Sequence, residues 1–563
     1  MHDLVIRNAS LIDGTGAERR VADVAITGET IAEVGHCIGP GKREINAEGL
    51  ILTPGWVDIH THYDGQATWD PYMSPSANHG VTTAVFGNCG VGFAPVRPGQ
   101  EKYLINLMEG VEDIPETVLS EGMDFTWESF PEYLDTLDSM KRVMDIGAQM
   151  PHAALRFYVM GERGADHAEV PTEVEIGEMG RLLEQALAEG ALGFTTSRTI
   201  KHKAADGRST PTLSAAEPEL AGLALAMKRA GKGVIEVNSD FGEGDFAILR
   251  QVAELAERPL SVLLLQVDNA PDLWRETLAE IEQANTDGLH VTGQVGSRFI
   301  GMVMGLETTV NPFVSHPAWR GMADLDPRER YRRIASNADL RRALWQDLPD
   351  NGHTRWLGKA LDRAFTLGVN INYEPDPKDA VALQAAALGR DRFDLALELM
   401  LENEGRGLLI HPFENYTEGN LENVRIMLMH PNCVAGLADA GAHVGVIADH
   451  SSATTLLTHW GRDRTRGEKL PLEFLVRKQT MDTANAYGFT DRGAIAPGKR
   501  ADINLIDFDA LRVRMPEVRY DLPAGGRRLV QLPEGYRHTF CAGVETFNNG
   551  EATGAFPGRL IRG

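Results

Sequence analysis

The chain has 563 residues, a formal net charge of −25, and 43% hydrophobic against 24% charged residues. Those proportions suit a soluble globular protein and exclude a disordered, collagen-like or membrane-bundle chain; no apolar stretch approaches the roughly 20 residues that cross a bilayer. The acidity argues against nucleic acid as a partner, because phosphate binding needs a concentrated basic surface. The opening MHDLVIRNASLIDG has no basic segment followed by an apolar run, so no signal peptide is expected. With four cysteines in all, at positions 37, 89, 433 and 541, a disulfide framework is not expected and a reducing, cytoplasmic setting fits.

In chain order, residues 3–53 read as short alternating strands with Gly at the breaks, in DLVIRNASLID, ADVAITGETIAEVG and GLILTPG. The stretch 500–563 has the same texture in RADINLIDFD and HTFCAGVETFNNGE. Two β segments at opposite ends of the chain predict one small sandwich built from both termini, 1–53 with 490–563. Between them helix and strand alternate. Thr172 and Glu175 form a capping box ahead of a helix with Ile176, Met179, Leu183, Ala186 and Leu187 on one face and Gly190 as its stop. ALGFTTS (191–197) reads as the next strand. Ser214 and Glu217 repeat the capping pattern ahead of a helix reaching Gly231, and GVIEVNSD (233–240) follows. Helices near 245–257 and 271–285 precede SVLLLQVD (261–268) and LHVTGQV (289–295).

Helix-then-strand units every 30 to 40 residues point to a parallel sheet with helical crossovers. An open doubly wound sheet lacks support, since no G-x-G-x-x-G follows the first strand. The expectation is therefore an α/β fold, a (β/α)8 TIM-like barrel over 54–489 beside the terminal β-sandwich. Insertions are expected near 97–145 and 300–365, the kind that in barrels usually sit over the site.

The sharpest chemical pattern is WVDIHTHYD, residues 56–64. His60 and His62 sit two apart at the end of an apolar strand, so both imidazoles point to one side and can ligate one metal ion. The plain alternative is two partly exposed histidines in a turn. Cys89, in GNCG after the strand VTTAVF, falls where barrel sites are built, although a buried cysteine is more often only a small apolar residue. Asp439, in CVAGLADAGAH, ends the presumptive last barrel strand; as an alternative it caps a turn.

These segments resemble the amidohydrolase superfamily through DLVIRNASLIDG, AEGLILTPGWVDIHTH and GAIAPGKRADINLID. HTHYDGQ, HGVTTAVFGNCGVGFAP, EGVEDIP, GLADAGAH and the closing TGAFPGRLIRG narrow the resemblance to N-acyl-D-amino acid deacylases (D-aminoacylases), over essentially the whole chain. The resemblance implies a metal-dependent barrel that hydrolyses an amide bond. It implies that Cys89 is a metal ligand, standing where relatives use a carboxylated lysine, and that Asp439 is the catalytic aspartate. Such an aspartate accepts a proton from the attacking water and returns it to the leaving nitrogen. His443, four residues on, could touch the substrate or serve as a cap.

One departure stands out. D-aminoacylases carry a histidine ligand on strand five, in a segment like THMRDE, and another on strand six, in a segment like SHHK. VIEVNSDF (234–241) and LLLQVDN (263–269) contain none. Glu236 could ligate in place of the first, whereas Gln266 is a poor ligand. The expected centre is then His60, His62, Cys89 and Asp439 around zinc, one or two ions per chain, because thiolate and imidazole together suit that ion; manganese or iron are alternatives. Arg198, ending strand four, could clamp a substrate carboxylate or serve in an ion pair. His411, in LLIHPFENY, reads as a hydrogen-bonded core histidine.

The expected activity is hydrolysis of a linear C–N amide bond of an N-acyl-D-amino acid or related small N-acyl compound, by a homo-oligomer. Alternatives are a cyclic amide, lactone or carbamate hydrolase on the same scaffold, or a metal-free scaffold protein.

Overall fold

The structure, a computed structural model, describes residues 1–563. At its centre are eight parallel strands: β1 (Trp56–Asp58), β2 (Val81–Phe86), β3 (Asp145–Ala148, continued by Met150–Pro151), β4 (Gly193–Arg198), β5 (Val234–Ser239), β6 (Leu260–Leu263), β7 (Val291–Val295) and β8 (Cys433–Ala435). Each pairs in parallel with the next, from β1 with β2 through β7 with β8. The ring closes beyond β8, where Thr61 bridges Ala440, the Asp439 N–H donates to the His60 carbonyl at 3.1 Å and the His62 N–H to the Ala440 carbonyl at 2.8 Å. Strands β2 and β4 are buried almost end to end, as expected for a parallel sheet covered on both faces.

Crossover helices follow the anticipated pattern. One of them, α1 (Glu173–Ala188), starts on a Thr172/Glu175 capping box in which each side chain accepts the other's backbone N–H, and it buries Met179, Leu183, Ala186 and Leu187. The second capping pattern is not formed. Helix α2 (Glu217–Ala230) has Ala216 as its N-cap with no side-chain cap, because the Ser214 hydroxyl instead donates to the His167 carbonyl at 2.7 Å. Gly231 ends α2 at φ +68°, a left-handed stop that a side chain would strain. Helices α3 (Asp245–Ala256) and α4 (Leu273–Thr286) complete the β5 and β6 units.

Two segments leave the barrel rhythm. Between β2 and β3 lie three helices, Glu101–Glu112, Glu116–Gly122 and Phe130–Ser139. Between β7 and β8 the excursion runs further than the acidic turns before residue 365 indicate. It contains a three-stranded antiparallel sheet of Ile300–Met304, Phe365–Leu367 and Leu408–Glu414, and a final helix, Glu422–Met429.

The second module is a nine-stranded sheet containing strands from both ends of the chain. Its centre pairs Ile51–Pro54 against Ile503–Ile506, with Leu52 opposite Leu505; His2–Leu11 lies beside Ile51–Pro54 and Tyr536–Cys541 beside Ile503–Ile506. Leu4, Ile6, Leu11, Leu52, Ile503, Leu505 and Phe540 share one buried cluster, so neither end can bury its apolar face without the other. The fold is a TIM barrel with an attached β-sandwich. No helix is long and apolar enough to cross a membrane.

Candidate metal centre

The C-terminal mouth of the barrel gathers His60, His62, Cys89 and Asp439. His60 and His62 extend β1 on the same side, their ring centroids 5.4 Å apart. Cys89 follows β2 in a tight GNCG loop at φ +55°. The loop has no room for side chains at its glycines: a Cβ on Gly87 would stand 2.3 Å from the Gln149 carbonyl oxygen, and one on Gly90 2.9 Å from the Thr196 backbone. Asp439 and His443 also hold left-handed backbone, at φ +45° and +49°. Such conformations in residues with a Cβ store strain and cluster at functional sites.

The donor atoms converge. His60 Nε2 lies 3.5 Å from Cys89 Sγ and 3.3 Å from Asp439 Oδ1, and His62 Nε2 lies 3.7 Å from the same Oδ1. One donor atom each from His60, His62 and Cys89 lie within 4.8 Å of one another. Bonds of about 2.0–2.3 Å to a tetrahedral zinc place its ligand atoms about 3.3–3.6 Å apart, so the spacing and the sulfur–imidazole–carboxylate donor set fit such an ion. All four side chains are buried or nearly so.

Neighbours fix which nitrogen is free. The Gln294 amide donates to Ser261 Oγ at 2.9 Å, which turns its Oε1 toward His60 Nδ1, also at 2.9 Å. His60 Nδ1 then carries the hydrogen and Nε2 keeps its lone pair for the cluster, an arrangement usual for metal-binding histidines. On His62, Nδ1 faces Glu112 Oε1 at 3.4 Å. Glu112 is 1% exposed. Its other oxygen stands 3.5 Å from His443 Nε2, and its carbonyl accepts the His443 N–H.

Electrostatics follow from this burial. Burial lowers the His60 imidazole to about 4. Burial pulls His62 down as well, but Glu112 and Asp439 outweigh it and hold it at about 9. Asp439 is pushed up by burial, yet the facing histidines keep it well below the usual carboxylate range. Burial, reinforced by Glu236, pushes the Cys89 thiol far up, a cost that a cation beside the sulfur would remove.

Other residues singled out by the sequence lie elsewhere. Glu236 sits behind the cluster: its Oε2 accepts the Cys89 N–H at 2.9 Å and its Oε1 stands 3.8 Å from His60 Nδ1, the nitrogen turned away from the cluster. Burial raises this carboxyl to about 8. Gln266 is tied to the 415–418 loop through Glu418, at 2.8 and 2.9 Å. Arg198 is committed to an ion pair. Its Nε and Nη2 donate to Asp245 Oδ1 at 3.2 and 2.9 Å, and Nη1 donates to the Ala215 carbonyl, which engages three of its five N–H donors. His411 lies on the accessory strand Leu408–Glu414 opposite Met302, not on a barrel strand, half-buried with the Ala360 and Arg363 backbone beside its ring.

Residues that sequence reasoning did not single out are Glu112, Gln294, Asn238 and His202. Only Glu112 carried a signal, since EGVEDIP is an acidic segment at the end of an amphipathic helix in an insertion.

Comparison with known proteins bears on the family and the fold. A family model described as "Amidohydrolase family" matches residues 43–547. An N-acyl-D-glutamate deacylase of Alcaligenes xylosoxydans xylosoxydans is 26% identical over 573 residues, covering 100% of this chain and 96% of that protein. A D-aminoacylase of the same organism is 33% identical over 195 residues, 34% of this chain and 37% of that one. Among solved structures, a D-aminoacylase superposes with a TM-score of 0.66 at 22% identity, covering 100% of both chains. The N-acyl-D-glutamate deacylase of Bordetella bronchiseptica, solved with zinc and a phosphonate inhibitor, reaches 0.65 at 23%, again over 100% of both. At those identities the structural likeness speaks for the fold.

Proposed function

The chain belongs to the amidohydrolase family and is a metal-dependent amidohydrolase; from that premise we propose that it hydrolyses the linear C–N amide bond of an N-acyl-D-amino acid or a related small N-acyl compound. The observation that carries this reading is the convergence of His60, His62, Cys89 and Asp439 at the barrel mouth. The full-length similarity to an N-acyl-D-glutamate deacylase supports the substrate class.

His60, His62 and Cys89 would hold the metal, with Asp439 on its open side, and zinc is the ion the donor set suits best. Such an ion, when bound, polarises the scissile carbonyl and lowers the pKa of water toward neutrality. The protein's own part is proton handling. Asp439, kept ionised by the two histidines, takes a proton from water as oxygen adds to the carbonyl carbon. It delivers that proton to the amide nitrogen as the C–N bond breaks, leaving a carboxylic acid and an amine. His443, half-exposed beside Glu112, would touch the substrate. The 1–53 and 490–563 segments would act as one β module beside the barrel.

The test pairs metal content with a substrate panel. Protein purified without added metal should carry about one zinc or more per chain, and His60→Ala/His62→Ala should lose it. Wild type should release free amine from N-acyl-D-amino acids in preference to cyclic amides, lactones and carbamates. Zinc-loaded protein that turns over only cyclic amides or esters would overturn the substrate reading. Absence of metal after reconstitution would overturn the mechanism.

A further inference from the structure

A hairpin of Glu517–Leu522 and Gly526–Val530 carries the C-terminal segment to the barrel mouth. There the Leu529 N–H donates to the Val444 carbonyl at 2.6 Å, one residue past His443. Two arginines stand side by side in this hairpin, and they differ. Arg528 is committed: Nε and Nη2 donate to the Asp521 carboxylate at 2.8 and 3.0 Å, and Nη1 to the Ser74 carbonyl at 2.8 Å. Arg527 is half-buried, and its guanidinium forms no ion pair or hydrogen bond.

Arg527 lines a cavity of about 220 Å³ together with Glu109, Asp113, Thr309, Val444 and Gly445. Two walls of that cavity lead straight to the cluster. Asp113 follows Glu112, whose carboxylate stands 3.4 Å from His62 and 3.5 Å from His443, and Val444 follows His443. The Thr309 N–H ties the remaining wall to the second by donating to the Gly445 carbonyl at 3.0 Å. The carboxylates already present do not take up the arginine. Asp113 Oδ2 accepts the Gly445 N–H at 3.3 Å, and burial raises that carboxyl above its ordinary value. Glu109 Oε1 accepts the Glu116 N–H at 3.1 Å. A half-buried guanidinium without an anion offers its planar fork to a carboxylate, which it binds through two parallel N–H···O bonds.

We propose that Arg527 is a specificity-determining residue that pairs with a carboxylate on the side chain of the substrate's amino-acid half, so that acidic N-acyl-D-amino acids are preferred to neutral ones of the same shape. The inference rests on the N-acyl-amino-acid reading of the site and deepens it. The α-carboxylate, attached next to the scissile nitrogen, must stay at the cluster itself. A cavity one residue removed from the cluster on two sides takes the more distant carboxylate, at the end of a short side chain that passes His443.

The experiment compares N-acetyl-D-glutamate with N-acetyl-D-glutamine, which differ in the charge of the distal group. Wild type should favour the glutamate in kcat/KM. Arg527→Gln should lower the glutamate-to-glutamine ratio at least about 10-fold, the worth of a hydrogen-bonded charge pair, chiefly through the glutamate KM. Arg527→Lys should restore part of the preference, because it keeps the charge and loses the fork. An unchanged ratio in Arg527→Gln, or a wild type that favours the glutamine or acts on neutral N-acyl-D-amino acids alone, would overturn the subsite and leave deacylation standing. If wild type releases amine from no N-acyl-D-amino acid, the deacylase reading falls, and calorimetry of N-acetyl-D-glutamate on metal-stripped protein decides the subsite by itself. Binding at least about 10-fold weaker in Arg527→Gln supports it; equal binding, or none in wild type, overturns it.

Discussion

The two ends of the barrel both bury charge, and they do so differently. At the base, Asp145 at the start of β3 is 0% exposed and every lone pair is answered. Its Oδ2 meets Arg492 Nη1 at 2.9 Å and Arg500 Nε at 2.8 Å, while its Oδ1 accepts from Arg500 Nη2 and the Arg559 N–H. This network ties β3 to the C-terminal segments, and the tail adds a bridge between Ile146 and Leu560. At the mouth, His62 Nδ1, Glu112 Oε1 and Glu236 Oε1 are buried without a well-formed hydrogen bond, and Cys89, Asp439 and His443 hold left-handed backbone. The base too has atoms without a well-formed hydrogen bond, at Arg500 Nε and Asp502 Oδ2; what sets the mouth apart is the left-handed backbone under a gathering of imidazole, thiol and carboxylate groups, at the end of the barrel where chemistry is built. The contrast separates the two roles without reference to sequence motifs.

The comparison can be broken most severely at the mouth. Asp439→Asn should lower kcat by about 10^2–10^4-fold, the range for loss of a general acid–base, while zinc content stays near wild type; steady-state kinetics with metal analysis check both. At the base, Arg492→Met leaves Asp145 and Asp491 short of a partner. It should cost about 3–5 kcal/mol of stability, read by denaturant unfolding, with no change in metal per folded chain. Loss of metal from the folded fraction of that variant would erase the distinction drawn here.

Glu112→Gln sharpens the comparison from inside the β2–β3 insertion. By removing the carboxylate behind His62 it should weaken zinc about 10–100-fold, measured by chelator competition, with a smaller effect on unfolding. The sign follows from the electrostatics: Glu112 is among the groups that hold His62 at about 9, so the variant should also let that imidazole lose its proton at lower pH in the apo protein, an NMR titration. The smallest functional effect is expected for Arg198→Ala. Its ion pair with Asp245 predicts a modest loss of thermal stability and, since Asp245 and the Ala215 carbonyl already engage its guanidinium, a KM within about twofold of wild type. A large rise in KM would return it to the substrate site.

Much of this was readable along the chain. The period-two spacing of His60 and His62, the GNCG turn, the Thr172/Glu175 capping box and the alternation of helix and strand are local patterns, and local patterns survive without knowledge of the fold. The Ser214/Glu217 pattern shows the limit of that reasoning, since a hydroxyl with a better partner at His167 ignores the nearby helix end.

The sequence by itself determined the barrel, the sandwich joining both termini and the four residues that meet at the mouth. Only the tertiary structure decided what surrounds them: Gln294 against His60 across 234 positions, Asn238 against Cys89 across 149, Glu112 against His62, His202 against Asn238, and Arg198 turned to Asp245. The physical reason is that short-range periodicity reports which face of an element is buried, whereas a polar side chain's partner depends on which strands closure of the barrel brings side by side.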